Sequence, residues 1–454
     1  MLEVFFNPKS VAIVGASHTP GKIGYQILEN FVKGNYGGRV YPVNPDTSPI
    51  LGKAVYPSVK NVLGKIDLVV IAVPAPLVPN ILRECVKKKV KAVVIVSGGF
   101  SETGTKGKKL EDELKKIIKK SKTRVLGPNC LGIVDTSTGV DTLFNPKERS
   151  GRPTQGSIGF ISQSGAVGAT ILDWLAEEQI GISKFISYEN AVDINERDAL
   201  EYLGNDKKTK VIVLFLEGVK DGKRFIQIAK KVTKKKPIIV LKGGKTEAGA
   251  KAVVSHTGSL AGSAKIYSSV FKQVGIIEAG TWEELFDFAK AFLQPLPKGK
   301  RVAIITDGGG FGVLASDECE RQGLDLPKPT DKLKELFRKS FPEYAIPSNP
   351  IDITGDATAE RYRIAMEECL KSKQFDSIIA ITLFQVPALE EKITDVIIDL
   401  KKYGKPILCC AAGGKFTVKL SRILEKNGIP VYVAPERAVK ALNALIRYKE
   451  WLDR

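Results

Sequence analysis

Short runs of Val, Ile and Leu ending in Gly, Pro or Asn alternate along this chain with longer amphipathic stretches. That alternation calls for parallel strands joined by crossover helices, so the fold class is α/β. In the first block, strands are expected at 11–14, 39–43, 68–73, 92–96 and 124–126, with helices near 22–33, 76–89 and 107–121. This makes a five-stranded Rossmann-like sheet. A second block opens with GSIGFIS at 156–162 and continues through a helix near 165–179, VIVLFLEG at 211–218 and PIIVLKGG at 237–244, its last helix running to about Leu293. The stretch 294–300, QPLPKGK, lacks apolar periodicity and reads as a linker to a third block. At 454 residues the chain exceeds a single core, and the expected domains are 1–135, 150–293 and 300–454.

The second and third blocks look like copies of one unit. GSIGFISQSGAVGATILDWLAEEQIGI from Gly156 and GKRVAIITDGGGFGVLASDECERQGLDL from Gly299 are each a strand, a small polar glycine turn and a helix. VIVLFLEG then corresponds to IIAITLFQ, which sets Glu217 against Phe384, and only the first copy continues beyond GGK into VVSHTGSLAG. A catalytic apparatus kept in one copy is the economical expectation.

Composition narrows the function classes. With 43% hydrophobic and 26% charged residues the chain is globular. No apolar run reaches the roughly eighteen residues of a membrane span, and the N-terminus shows no charged-then-apolar leader. Cys85, Cys130, Cys319, Cys369, Cys409 and Cys410 form no CxxC pair and sit in or beside apolar stretches, which points to a reducing, cytoplasmic setting. The net charge of +19 fits a nucleic-acid partner, an anionic substrate or a lysine-rich solvated face. Lysines at 115–122 and 230–236 fall among Ile, Val and Ala at helical spacing with few aromatics, which argues against nucleic acid.

Four constellations carry chemistry. The turn GASHTPGKIG, 15–24, joins the first strand to its helix, where backbone N–H groups and the helix dipole favour a phosphate. Its glycines either serve a nucleotide-like ligand or only make a tight turn. Gly15 and Gly21 are not spaced as GxGxxG, and Ile23 stands where a P-loop needs Ser or Thr. The second strand ends in Asn44 without the acidic residue of a NAD site, although Asp46 is near. The later strand ends, Val73-Pro74-Ala75, Ser97-Gly98-Gly99-Phe100 and Gly127-Pro128-Asn129-Cys130, should line one groove with that turn and suit a long anionic cofactor.

The third constellation, SQSGA, follows a strand and opens a helix, so Ser162, Ser164 and the amides near Gly165 can face an oxyanion, or Ser can simply cap the helix. It lacks the GxSxG spacing of a hydrolase elbow. The fourth is His256, one of only two histidines, in the small polar stretch Ser255-His256-Thr257-Gly258-Ser259. Imidazole can carry a phosphoryl group if a carboxylate orients the ring and dipoles receive the phosphate, and Glu217 and SQSG could supply these. His18 reads as an exposed loop residue. No His or Cys cluster supports a metal site.

Taken together, NPKSVAIVGAS with PGKIG, YPVNP, GPNCLG, SQSGA, EGVKDG, GGKTEAGAKAVVSHTGSLAG and NPIDITGDA resemble the α subunit of ADP-forming acyl-CoA synthetases, relatives of succinyl-CoA synthetase, over essentially the whole chain. The resemblance implies a CoA-binding Rossmann-like domain followed by two flavodoxin-like ligase domains. It also implies a separate ATP-grasp β subunit, commonly in an α2β2 assembly, that holds ADP or ATP with Mg2+. The implied reaction is acyl-CoA + phosphate + ADP ⇌ acid + CoA + ATP, through an acyl phosphate and a phosphohistidine at His256, with acetyl-CoA or a related short acyl-CoA as substrate. Carried onto this sequence, CoA is expected at Gly15, Ala16, Ser17, Gly21, Lys22, Asn44, Val73, Pro74, Ser97, Gly98, Gly99 and Asn129. Phosphate is expected at Ser162, Gln163, Ser164 and Gly165, with Glu217 orienting His256. Two other classes remain, a non-catalytic CoA-binding regulatory subunit and a NAD-dependent oxidoreductase.

The sequence departs from the family at Ser187-Tyr188-Glu189-Asn190, where Gly-Asn is usual, while the later Asp193 matches. Glu189 either alters substrate choice, weakens phosphate binding or points to solvent.

Overall fold

The computed structural model describes residues 2–257 and 263–454, with the side chains of 254–257 outside that description. The chain forms two compact units, residues 1–278 and 279–454.

The first unit holds two sheets. Strands β1 (Ser10–Val14), β2 (Arg39–Val43), β3 (Leu68–Ile71), β4 (Ala92–Ile95) and β5 (Arg124–Leu126) are all parallel, in the order β2-β1-β3-β4-β5. β1, β3 and β4 are buried along their whole length, which is why they read as unbroken apolar runs rather than alternating ones. Helices Ile23–Lys33, Val78–Lys87 and Thr105–Lys119 make the crossovers. The winding reverses between β1 and β3, and a reversal of this kind opens a crevice at the carboxyl ends of the strands.

The second sheet is built from β6 (Ile133–Asp135), β7 (Val140–Asp141), β8 (Gln155–Ser162), β9 (Ile182–Ser187), β10 (Val211–Leu216), β11 (Ile238–Lys242) and β12 (Ile277–Ala279), in the order β12-β11-β10-β8-β9-β6-β7. β6 runs antiparallel to both β9 and β7. The sequence reading lacks β6 and β7 because strands of three and two residues are too short to display a period. Buried Lys184 of β9 fixes this edge, its Nζ lying 3.3 Å from Asp135 of β6 and 3.0 Å from Asp206.

In the second unit, β13 (Val302–Thr306), β14 (Ile346–Pro347), β15 (Ile351–Asp352), β16 (Ser377–Ile381), β17 (Ile407–Cys410) and β18 (Val431–Tyr432) take the order β14-β15-β13-β16-β17-β18. From β8 and from β13 the chain follows the same winding as the first sheet, so the two copies expected from sequence share one topology. The helix Trp282–Ala291, the last of the second block in sequence, lies in this unit, where buried Asp287 accepts from Arg437 Nε and Nη2 at 2.6 and 2.8 Å.

The register corrects one pairing. Phe215 lies beside Ser162, and Ile381 beside Thr306, so the counterpart of Glu217 is Leu383 rather than Phe384. Hydrogen bonds agree: Gln163 Oε1 accepts from the Glu217 amide at 2.7 Å, and Asp307 at the matching turn accepts from the Leu383 amide at 3.1 Å. An apolar run carries no mark of register within itself, which is why the slip was invisible in sequence.

Replacing Lys184 by Met should strand the buried Asp135 carboxylate and lower stability by about 3–5 kcal/mol. Urea unfolding of the purified chain measures this.

Candidate functional site

The loops at the carboxyl ends of the first sheet are braced to one another. Gly15 has φ +88°, its amide donates to Val43 O at 3.0 Å, and a Cβ there would meet the carbonyl oxygen of Ala72 at 2.3 Å. Gly24 in the following helix is equally constrained, since a Cβ would stand 1.8 Å from Gly15 O, so helix and turn touch backbone to backbone. Asn44 reaches across from β2, its Nδ2 donating to Ala16 O at 2.6 Å and its Oδ1 accepting from the Asp46 amide at 2.8 Å. Ser97 Oγ accepts from the Val73 amide at 3.2 Å, and Ser97 O from the Asn129 amide at 2.9 Å. Ser17 Oγ takes the Thr19 amide at 3.1 Å. Ala16 is buried, while Gly21, Lys22, Pro74 and Gly98 are exposed. The Gly99 and Phe100 amides are held by Glu102 Oε1 at 2.6 and 3.0 Å.

In the second sheet, Ser162 is fully buried, its Oγ donating to Ser164 O at 2.7 Å and accepting from the Ser164 amide at 3.2 Å. Ser164 caps the helix Gly165–Glu177, accepting from the Val167 amide at 3.4 Å. Gln163 braces the end of β10, its Oε1 accepting from the amides of Glu217 and Gly218 at 2.7 and 3.0 Å. Glu217 is 8% exposed, and Lys242 Nζ donates to its carbonyl oxygen at 2.8 Å while lying 4.6 Å from the Tyr267 ring centroid. Burial pushes the Lys242 ammonium below its ordinary value, against the pull of Glu217.

The segment after β9 joins the two sheets. Val192 and Ile194 donate to Gly127 O and Val125 O, both at 3.1 Å, so the segment runs along β5, the edge of the first sheet. Asp193 Oδ2 accepts from Arg124 Nε and the Val125 amide, both at 2.8 Å. Asn190 Nδ2 donates to Glu102 Oε2 at 2.6 Å and to Glu111 Oε2 at 3.1 Å, and Asn129 Nδ2 donates to Asn190 Oδ1 at 3.4 Å. Burial opposes ionisation of Glu102, but hydrogen bonds from Asn190 and from the Phe100 and Gly99 amides overcome it and hold the carboxyl below the usual range.

A cleft of about 580 Å³ opens where these parts meet. Its lining includes Ser101 and Asn129 from the first sheet, Gln163 from the SQSG turn, and Glu189, Arg197 and Lys220. The structure thus brings Asn129 and Gln163 to one cleft. Arg197 was missed in sequence, being an isolated cation with no motif around it, while Lys220 lies inside EGVKDG but carried no expected role there.

Glu189 does not point to solvent. Its carboxylate accepts from Ser187 Oγ at 2.6 and 2.8 Å, and Oε1 lies 2.7 Å from where a Cβ on Gly165 would stand, against the N-terminus of the helix. Burial pushes its carboxyl well above the usual range, opposed by the Ser187 and Leu131 hydrogen bonds and reinforced by Glu217.

His256 falls within the helix Glu247–Thr257, longer than the loop expected from its small polar neighbours, because Glu247–Val254 is rich in Ala and other helix-compatible residues. Its side chain lies outside the described ones. Among the described residues, no group of three or more His, Cys, Asp or Glu could hold a metal ion, and no helix is long and apolar enough to cross a membrane.

Comparisons with known proteins agree with this layout. Residues 9–136 match a CoA binding domain, 155–292 a succinyl-CoA ligase like flavodoxin domain, and 302–451 a ligase-CoA domain. The α subunit of ADP-forming acetate–CoA ligase II from Pyrococcus furiosus is 44% identical, across 98% of each chain. The chain belongs to the α-subunit family of ADP-forming acetate–CoA ligases. An ADP-forming acetate–CoA ligase from Methanocaldococcus jannaschii is also 44% identical over 98% of this chain, which spans 63% of that longer protein. An acetyl-coenzyme A synthetase 1 from Ca. Korarchaeum cryptofilum, solved in complex with phosphate and ADP, superposes with a TM-score of 0.92 at 38% identity, covering 100% of this chain and 98% of that one. Family membership disfavours the oxidoreductase alternative, in keeping with Asn44 turned onto Ala16 O.

Gln163→Leu should remove the acceptor of two strand-end amides and lower stability by about 1–3 kcal/mol, whereas Gln163→Glu keeps the acceptor and loses less. Thermal unfolding of the two variants checks this ordering.

Proposed function

We propose that this chain is the subunit of an ADP-forming acid–CoA ligase that exchanges CoA for phosphate on an acyl group and then carries the phosphoryl group on His256. The observation supporting this most directly is that Ser101, Glu102 and Asn129, which follow strands of the CoA-binding sheet, share one cleft with Gln163 of the SQSG turn, in a chain 44% identical to a named α subunit. The first-sheet groove, from the Gly15–Lys22 turn to Gly98 and Asn129, takes the anionic CoA tail and leads its thioester toward the second sheet.

Inorganic phosphate then attacks the thioester carbonyl. A C–O bond forms, the C–S bond breaks, and CoA leaves as a thiolate. Ser162, Ser164 and the amides of the helix starting at Gly165 offer hydrogen bonds and a positive dipole end to the phosphate. A His256 ring nitrogen next attacks the phosphorus of the acyl phosphate, the bond to the carboxyl oxygen breaks, and the acid departs. Glu217 holds the other ring nitrogen and stabilises the cation that develops. Phospho-His256 finally passes its group to ADP on a separate ATP-grasp β subunit, in an α2β2 assembly, with acetyl-CoA or a related short acyl-CoA as substrate. Magnesium would accompany the nucleotide on that partner, and no step here passes through it. The setting is cytoplasmic.

Incubating the chain and an ATP-grasp partner with labelled phosphate and acetyl-CoA should place acid-labile, base-stable label on the wild type and none on His256→Ala. Glu217→Gln should slow labelling by on the order of 10²-fold. A wild-type chain that binds CoA and its partner yet takes no label would instead be a regulatory CoA-binding subunit.

A further inference from the structure

Glu189 lines the cleft without a part in the reaction above, and its placement is specific. It has φ +37°, a left-handed conformation that a non-glycine residue adopts at a cost. The loop nevertheless turns the side chain inward. Ser187 Oγ holds both carboxylate oxygens, and Oε1 stands 2.7 Å from where a Cβ on Gly165 would lie, Gly165 being the first residue of the helix whose N-terminus would receive phosphate. An ionised carboxylate there is an anion already seated beside the dipole end that an incoming anion needs.

We infer that Glu189 sets the affinity for inorganic phosphate by competing, through its carboxylate, for the N-terminus of the Gly165–Glu177 helix. This rests on the proposed reading of that helix as the phosphate site. The charged and titratable groups around Glu189 are Glu217 at the end of β10, Cys130 on the loop after β5 and Tyr188 beside it in sequence, with Lys220, Arg197, Glu196, Asp193 and Glu102 in the same cleft. Burial most strongly disfavours ionisation of Glu189, and Glu217 acts in the same direction. The neutral acid is therefore kept to a higher pH than for an ordinary carboxyl, and in that form it repels no phosphate. As pH rises through the titration of Glu189, the carboxylate forms and phosphate binding weakens.

The test is steady-state kinetics of the chain with its ATP-grasp partner, acetyl-CoA, ADP and inorganic phosphate, from mildly acidic to mildly alkaline pH, for wild type, Glu189→Gln and Glu189→Gly. Free phosphate ionises alike in all three assays, so the ratio of KM values removes its titration and reads the change made at position 189. At alkaline pH both variants should show a KM for phosphate about tenfold below wild type, with KM for acetyl-CoA within twofold. The gap should close at acidic pH. Equal phosphate KM values at every pH, or higher ones in the variants, overturn the inference. If wild type shows no phosphate-dependent turnover at all, the functional reading itself fails, which is a separate outcome.

Discussion

The bond between Asp193 and β5 is the joint on which the site depends. A parallel sheet offers its ligand-binding loops only at the carboxyl ends of its strands, so two sheets can share a substrate only if those ends are held facing one cleft. Here the segment leaving β9 runs along the free edge of β5, with Asp193 accepting from both Arg124 and the Val125 amide. Burial opposes the Arg124 charge, but hydrogen bonds to Asp193 and then Asp198 outweigh it. The same segment covers a sheet edge that would otherwise expose backbone donors and acceptors.

From that joint the chemistry follows in order. Asn190 ties the segment to Glu102 and Glu111 of the CoA-binding part, and Glu102 in turn holds the Gly99 and Phe100 amides. On the other side, Gln163 fixes the end of β10 and with it the backbone of Glu217. On the proposed reading, a thioester at the first sheet and an oxyanion at the second would be positioned by these two hydrogen-bonded sets. Positioning of this kind is what a displacement between two anionic reactants requires, since proximity offsets the entropy and repulsion of bringing them together.

Much of this was legible in sequence because burial leaves a direct signature. β1, β3 and β4 are covered on both faces and appear as uninterrupted Val and Ile runs, and the glycines at 15 and 24 mark a contact only a missing Cβ permits. The repeated strand–turn–helix units at Ser162 and Thr306 are likewise visible, since the same hydroxyl brace recurs, Thr306 Oγ1 donating to Gly308 O at 2.9 Å. What stayed hidden was relational. The slip that pairs Glu217 with Leu383 depends on register, the antiparallel edge of β6 and β7 on two very short segments, and the cleft roles of Arg197, Lys220 and Asn190 on convergence from distant parts of the chain. Glu189 was visible as a departure, but its inward direction is set by a left-handed backbone that no motif announces.

The central claim is that CoA and phosphate meet on this chain before any nucleotide is involved. The direct measurement is exchange of labelled CoA into acetyl-CoA by the chain with its partner present and no ADP or ATP. The account predicts exchange that requires inorganic phosphate. Exchange that proceeds equally without phosphate, or that appears only when nucleotide is added, would contradict it.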